Sequence, residues 1–427
     1  MRVLVLSWEY PPRVVGGLGR HVAALTRTLA GQGHEVHVVS RDHPDAPAEE
    51  TVEGVHVVRV GEAPPVIDFE DLVPWVLAFN NRVQAAAARI VSEHAAEGSG
   101  FDVVHAHDWL VAYAAAGVKD AFGLPLVATV HATEYGRHQG HLPGPMNKLI
   151  HQIEWWLTYE ARRVITCSAY MHDQVSTIFA LPVEKVDVIP NGVAVRDFAL
   201  PDDEIRAFRR ELTPGGEALV LFAGRLEYEK GVQTVLHALV AVEDAIGPVR
   251  FLIAGVGTYS DELRATVDRL GLGDRVRFTG FLEDHDLRLH YAAADVAVAP
   301  SIYEPFGLVA VEAMACGTPV VVGDTGGLRE IVAGGHGLSF PPQDAEQLAA
   351  RLVEVLSDRE LATELVERGR RRILSRYDWG AVGERTVDVY ARAIEQESAL
   401  AGRADPRPPL RAILEGAPIL ELDDLAG

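Results

Sequence analysis

The sequence begins the same pattern twice: a short apolar run, a glycine-containing turn and then a helical segment. The first occurrence runs from VLVLS at residues 3–7 through GGLG at 16–19 to a second apolar run at 35–40. The second occurrence is ALVLFAGRLEYEKGV at 218–232. Short apolar runs that alternate with helical segments predict parallel strands covered by helices on both faces. The chain is therefore expected to form two α/β domains, which bind ligands at the carboxyl ends of their strands.

Length and charge fit two globular domains and exclude some classes of partner. The chain has 427 residues, and its 61 acidic against 39 basic residues give a net charge of −22. Because no long basic run is present, we expect no binding to nucleic acid or to an anionic membrane surface. Cys167 and Cys316 lie in apolar segments, which predicts buried thiols rather than a disulfide.

No export signal and no membrane-spanning segment are expected. The first predicted strand follows Met1 and Arg2 directly and is too short for the apolar part of a signal peptide. No apolar run approaches the roughly 20 residues of a transmembrane helix. These features predict a cytoplasmic protein, whose oligomeric state the sequence leaves open.

Glycines and cations follow the first strand of each predicted domain. Gly16 and Gly17 would let backbone N–H groups approach an anion closely, although ordinary turns also contain such glycines. Arg225 and Lys230, five residues apart, could stabilise the charge of a diphosphate leaving group. The alternative is a solvated helix start, because two glutamates lie between them. Gly255 follows a later strand in a weak G-x-G pattern.

Two polar residues end strands of the first predicted domain. Asp108 closes FDVVHAHD and His131 directly follows VATV. A histidine in such a place is most often a structural hydrogen-bonding group, which leaves a functional role open. The sequence shows no H-x3-H or C-x2-C spacing, so no metal site is predicted.

Two carboxylates stand out in the stretch PSIYEPFGLVAVEAMACGTPVVV at residues 300–322. Glu304 precedes a predicted helix and Glu312 lies about one turn inside it. A helix N-terminus presents free N–H groups and a positive dipole end, which suit a phosphate. In isolation, the pair could be a helix-end carboxylate and a surface glutamate. In this setting it resembles the E-x7-E motif of retaining glycosyltransferases of family 4, which have the GT-B fold, and GRLEYEKG resembles their diphosphate-binding segment.

The resemblance implies roles for these residues. Glu304 would contact hydroxyls of the donor sugar, Glu312 would bind the ribose, and Asp108 would orient the acceptor or a histidine. The implied catalytic residues are His131, Arg225, Lys230 and Glu304. The implied donor-binding residues are Gly16, Gly17, Gly255, Phe306, Gly307, Leu308 and Glu312.

The resemblance covers about residues 1–398 and implies two facing Rossmann-like domains with a cleft between them. The acceptor-side domain is expected at 1–197 and the nucleotide-sugar domain at 198–377. A helix at 378–398 would cross back to the first domain. A tail at 399–427 would follow, and its sequence is compatible with docking or with disorder.

The expected reaction is the retaining transfer of a hexosyl unit, with glucose favoured, from a nucleoside diphosphate sugar to an α-1,4-glucan or oligosaccharide. HAHDW, HATEYGR and SWEYPP resemble the glucan-synthesising branch of the family. ADP-glucose or UDP-glucose would be a substrate, and no cofactor is expected. Val14 stands where that branch usually has lysine in K-x-G-G-L, which leaves the donor open.

Other functions remain possible for such a chain. They are a family 4 mannosyl- or glycosyltransferase with a lipid or small-molecule acceptor, a nucleotide-sugar 2-epimerase, and a non-catalytic nucleotide-sugar binding protein. An NAD oxidoreductase would need a tight G-x-G-x-x-G directly after the first strand, whereas here the first glycine comes several residues late.

Overall fold

The computed structural model describes residues 1–14, 16–61, 71–194, 198 and 200–401. Two separate sheets form, as the two predicted α/β domains require. The first has eight strands in the order β3-β4-β2-β1-β5-β6-β7-β8, and only β3 runs antiparallel to its neighbour. Its strands are β1 (Arg2–Ser7), β2 (Glu35–Arg41), β3 (Glu49–Val52), β4 (Val55–Val60), β5 (Val103–His107), β6 (Leu126–Val130), β7 (Arg163–Thr166) and β8 (Val186–Val188).

The second sheet is parallel throughout and has six strands in the order β11-β10-β9-β12-β13-β14. Its strands are β9 (Ala218–Ala223), β10 (Val249–Ala254), β11 (Val276–Gly280), β12 (Val296–Ala299), β13 (Val320–Gly323) and β14 (Leu338–Phe340).

Helices connect the strands of each sheet. The first group is α1 (Gly17–Gly31), α2 (Leu72–Ala96), α3 (Ala112–Phe122), α4 (Glu134–Arg137), α5 (Pro145–Glu160) and α6 (Ala169–Ile178). The second group is α7 (Asp202–Leu212), α8 (Val232–Ile246), α9 (Ser260–Arg269), α10 (Asp284–Ala293), α11 (Leu308–Cys316), α12 (Gly326–Val332), α13 (Ala345–Ser357), α14 (Arg359–Arg376) and α15 (Trp379–Ala401).

Burial of the strands on both faces explains the apolar runs that the sequence displays. Every residue of β6, β12 and β13 is buried, as is every residue of β1 after Arg2. A strand covered by helices on both sides has no solvent face, so it is apolar at successive positions instead of alternating. The α/β architecture with two parallel-sheet domains is thus confirmed.

The last helix of the described ranges, α15, lies against the first sheet although it follows the second sheet in the chain. It packs on α1, β5 and β6. Tyr390 of α15 is fully buried, and its hydroxyl lies 2.7 Å from Nδ1 of His105 on β5. Nε2 of the same imidazole lies 2.7 Å from Thr129 Oγ1. This buried hydrogen-bonded group joins α15 to the first sheet.

Some local expectations differ from the structure. The sequence predicts a helix at 68–95 with Trp75, Leu77 and Phe79 on one packing surface, but Leu77 is 42% exposed, since it points away from that side of α2. The short strands β3 and β14 carry no strong sequence signal and were not predicted. The start of the predicted helix at 68–70 and most of the predicted tail lie outside the described residues. Within the described ranges, no helix is both long and apolar enough to span a bilayer.

Candidate active site

The N-termini of α1 and α11 meet across the junction of the two domains. A Cβ atom added to Gly17 would lie 3.0 Å from Leu308 Cδ1. Arg20 of α1 also reaches the second domain, where its guanidinium lies 3.5 Å from Glu312 Oε1. The domains touch again where Ser168 Oγ donates a 2.6 Å hydrogen bond to the Pro305 carbonyl oxygen. Two positive helix ends therefore face the same cleft, which favours the binding of an anion.

Lys230 and Glu304 form an ion pair at the edge of this cleft. Lys230 Nζ donates to Glu304 Oε2 over 2.8 Å, and Ser301 Oγ donates to the same oxygen over 3.0 Å. Their side chains are 17% and 13% exposed. Gly231 follows in a left-handed conformation with φ 73°, and a Cβ there would overlap the Pro300 carbonyl oxygen. The glycine thus allows the Lys230 turn to lie directly on the Glu304 loop.

Arg225, the other predicted diphosphate-binding cation, is placed differently. Its side chain is 48% exposed, and its guanidinium lies 3.6 Å from Glu229 Oε1. It follows β9 on the same connection as Lys230, but it forms no ion pair with Glu304. An exposed guanidinium with one distant carboxylate can turn toward an incoming anion at little cost.

Glu312 lies in a buried setting between the two domains. Tyr291 Oη donates to its Oε2 over 3.3 Å, and Arg20 faces its other oxygen. Burial raises the pKa of the Glu312 carboxyl, and Arg20 opposes that effect. Sequence reasoning missed Arg20. Its position one residue after the GGLG turn, at the start of a helix that faces the cleft, could have indicated it.

The glycines near the cleft serve close packing. Gly307 has φ 110° and precedes the first residue of α11, Leu308. A Cβ on Gly255 would overlap the carbonyl oxygen of Gly224, so this turn fits only glycine. Phe306 is 5% exposed and packs edge-on against Tyr377.

At the start of α1, a carboxylate of the chain itself takes the place expected for an anion. Gly16 N donates to Glu9 Oε2 over 3.2 Å. A Cβ on Gly19 would lie 3.0 Å from the same oxygen. Glu9 therefore binds the N-terminus of α1, a contact that the sequence did not predict.

His131 belongs to a group of imidazoles from different elements. Its Nε2 lies 3.0 Å from Nδ1 of His107 on β5, and its ring meets His21 of α1 edge-on at 4.8 Å. Burial, with a contribution from Arg137, lowers the pKa of His131 to about 4. The imidazole is therefore neutral near pH 7. By distance the three rings could hold a metal ion, a grouping that linear spacing does not reveal.

Asp108 fixes the backbone next to this imidazole. Its Oδ1 accepts a 2.8 Å hydrogen bond from His131 N, and its own backbone has a positive φ of 59°. Burial raises the pKa of Asp108 to about 6, although the hydrogen bond from His131 acts in the opposite direction. Asp108 thus orients His131 through the main chain.

Arg137 is a further cleft residue that sequence reasoning passed over. It ends α4, is exposed, and lies near enough to Asp108 and Glu154 to interact with both charges. The neighbouring Gly136 has no room for a side chain, because Tyr303 of the second domain fills that space. The run HATEYGR carried both residues, but nothing in it distinguished Arg137 from a solvated surface cation.

Comparisons with known proteins match both domains. A family model described as Glycosyltransferase Family 4 matches residues 15–197, and one described as Glycosyl transferases group 1 matches residues 203–372. A curated relative named glycogen synthase, from Mycobacterium tuberculosis, is 39% identical over 98% of this chain and 100% of its own. A D-inositol 3-phosphate glycosyltransferase from Kineococcus radiotolerans is 31% identical, covering 95% of this chain and 98% of the relative.

Solved structures share the architecture. Sucrose-phosphate synthase from Thermosynechococcus elongatus superposes with a TM-score of 0.78 at 27% identity, covering 93% of this chain and 100% of that one. The catalytic domain of starch synthase IV from Arabidopsis thaliana, bound to ADP and acarbose, gives 0.73 at 20% identity, over 92% and 99% of the two chains. The latter supports the fold alone. The chain therefore belongs to glycosyltransferase family 4 and has the GT-B fold.

Proposed function

We propose that this glycosyltransferase transfers a glucosyl unit from ADP-glucose or UDP-glucose to an α-1,4-glucan or oligosaccharide with retention of configuration. The observation that carries the proposal is the ion pair of Lys230 and Glu304, which lies in the cleft where the N-termini of α1 and α11 meet. In this one contact, a cation that would stabilise a leaving phosphate lies against a carboxylate that would bind hydroxyls of the sugar.

Charge on the leaving diphosphate would be stabilised by the protein itself. Lys230 and Arg225 supply two cations, and the first N–H groups of α11, at Leu308 and its neighbours, supply a partial positive charge. Because these groups are in place before reaction, they need little reorganisation as the bond to the sugar breaks. The proposal invokes no cofactor.

Glu304 and His131 would position the sugar. Lys230 and Ser301 both donate to Glu304 Oε2, which leaves Oε1 to accept from sugar hydroxyls. The neutral imidazole of His131 would lie beside the donor sugar, oriented through Asp108. In the front-face substitution proposed here, the leaving phosphate oxygen takes the acceptor proton, so no protein base is needed.

The glucan acceptor is proposed from whole-length similarity to the relative named glycogen synthase. The test is the product that forms from UDP- or ADP-glucose and a maltooligosaccharide. Proton NMR should show new α-1,4 linkages while the donor is consumed. New β linkages would contradict retention, and sugar release to water alone would contradict the acceptor.

A second candidate is transfer to a small phosphorylated polyol. Relatives named D-inositol 3-phosphate glycosyltransferase match at 31–32% identity over most of the chain. Arg137, an exposed residue near Asp108 and Glu154, could meet an acceptor phosphate. Inositol 3-phosphate therefore belongs among the acceptors tested, and turnover that depends on it and not on glucan would favour this candidate.

A further inference from the structure

A second group of polar side chains lies at the N-terminal ends of the strands of the first sheet, on the side opposite to the cleft. Glu35 and His37 open β2, and His94 lies in the last turn of α2. Glu35 Oε1 is 3.0 Å from His37 Nε2 and 3.3 Å from His94 Nε2. The two imidazoles meet edge-on with ring centres 4.8 Å apart. Nothing in the proposed transfer reaction uses these residues.

The hydrogen bonds of His94 make this arrangement unfavourable without a cation. His94 Nδ1 lies 2.9 Å from the Ile90 carbonyl oxygen, which can only accept, so Nδ1 carries the proton. In the neutral ring, Nε2 then presents a lone pair toward Glu35 Oε1, which also only accepts. A proton on Nε2, which would make an ion pair with Glu35, or a metal ion between the two atoms would turn this repulsion into attraction.

The distances and the surroundings fit a transition-metal ion. In a tetrahedral zinc site, ligand atoms about 2.0–2.1 Å from the metal stand roughly 3.3 Å apart, close to the separations from Glu35 Oε1. The backbone bond at Nδ1 is the kind of outer contact that orients metal-binding histidines. His37, His94 and Glu35 are 9%, 21% and 37% exposed, so the ligand atoms are held by the fold while water can reach a fourth position.

The charges around the group also favour a cation. Arg2 binds the other oxygen of Glu35 over 2.6 Å and leaves Oε1 for the ion. Asp102 adds a carboxylate next to Arg2, since its Oδ2 accepts a 2.7 Å hydrogen bond from Arg2 N. The C-terminal end of α2 adds partial negative charge beside His94.

We propose that Glu35, His37 and His94 form a binding site for a divalent transition-metal ion such as Zn²⁺, separate from the transfer site. An ion there would join β2 to the end of α2, through neutral imidazoles and an ionised carboxylate.

The test measures Zn²⁺ binding to the full chain by equilibrium dialysis, with Co²⁺ absorption as a second readout. Wild-type protein should bind one equivalent that His94→Ala and His37→Ala each weaken at least about tenfold. His43→Ala is the matched control for loss of an imidazole, since the half-buried His43 lies outside the group. Circular dichroism establishes that each variant is folded, and Glu35→Gln supplies a variant that keeps both rings.

The imidazole group of the cleft is the competing site, and His107→Ala separates the two. If the assignment is right, His107→Ala retains the high-affinity equivalent and the visible bands of bound Co²⁺. The proposal is overturned if wild-type protein binds no Zn²⁺, or if folded His94→Ala and His37→Ala bind it as tightly as wild type.

Discussion

Replacement of Lys230 by alanine should slow transfer much more than it affects folding. In the structure, Lys230 Nζ donates over 2.8 Å to Glu304 Oε2, and both side chains are less than one-fifth exposed. The proposal gives Lys230 a stronger task in the transition state, where charge develops on the leaving diphosphate. Removal of the ammonium therefore removes an interaction that strengthens during the reaction.

The magnitude follows from the strength of one charged hydrogen bond. Such a bond contributes about 1.5–3 kcal/mol, and about 1.4 kcal/mol corresponds to a factor of ten in rate, so kcat/KM should fall about 10- to 150-fold. Glu304→Ala should also reduce turnover at least about tenfold. Because the two side chains touch, the double variant should lose less than the sum of the two single losses in activation free energy.

The assay is steady-state release of nucleoside diphosphate, with donor and acceptor varied in turn. Arg351→Ala is the control, because Arg351 forms an exposed ion pair with Glu354 on α13. It should retain wild-type kinetics. Wild-type kcat/KM in both folded Lys230→Ala and folded Glu304→Ala would refute the assignment of this pair to the reaction.

Three further predictions follow from buried polar groups and from one close approach. Stability should fall as pH drops below about 6.5, because burial lowers the pKa of several histidines, most strongly of four whose imidazoles protonate more readily once unfolded; each of the four costs up to about 1.4 kcal/mol per pH unit. These are His21, His105, His107 and His131. Tyr390→Phe should cost about 1–3 kcal/mol of unfolding free energy, because it leaves His105 Nδ1 without its 2.7 Å partner. Gly136→Ala should lower turnover, because its Cβ would overlap Tyr303 Oη, and Tyr303→Ala should relieve that overlap.

Each of these predictions has its own check. Thermal melts between pH 5 and 7 test the first. The buried carboxyls of Asp108, Glu154 and Glu312 act oppositely, because burial raises their pKa, and each offsets at most about one histidine. A flat profile would contradict it. Chemical denaturation tests the second against Tyr113→Phe, and equal losses would count against it. For the third, Gly136→Ala turnover equal to wild type would show that the overlap is relieved without cost.

The fold was predictable because its signals are local. Continuous apolar runs such as β1 and β6 identify strands buried on both faces, and helical segments between them specify parallel connections. The short edge strand β3 (EETV) was not predicted, because its first three residues are polar and at least partly exposed. Its pairing depends on β4. Leu77 was wrongly expected to pack with Trp75 and Phe79. It lies two residues from each of them, which places it on the other side of the helix.

The candidate site was predictable only where its residues lie in one short segment. Glu304, Gly307 and Leu308 lie in one segment, residues 304–308, so they are close together in any fold. Arg20 was missed although its place after GGLG could have indicated it, since its contact with Glu312 depends on how the two domains face each other. Arg137 was missed because nothing in HATEYGR distinguishes it from a surface cation. The imidazole pair of His107 and His131 comes from two neighbouring strands, so only their pairing brings the rings within 3.0 Å.

The most direct test of the proposed function is nucleoside diphosphate release with ADP-, UDP- and GDP-sugars, each with and without glycogen or maltooligosaccharide. The account predicts release from ADP-glucose or UDP-glucose that rises strongly when glucan is added. Release only from GDP-mannose, or release that glucan leaves unchanged, would contradict the glucan acceptor. Donor binding without any turnover would contradict the enzymatic assignment itself.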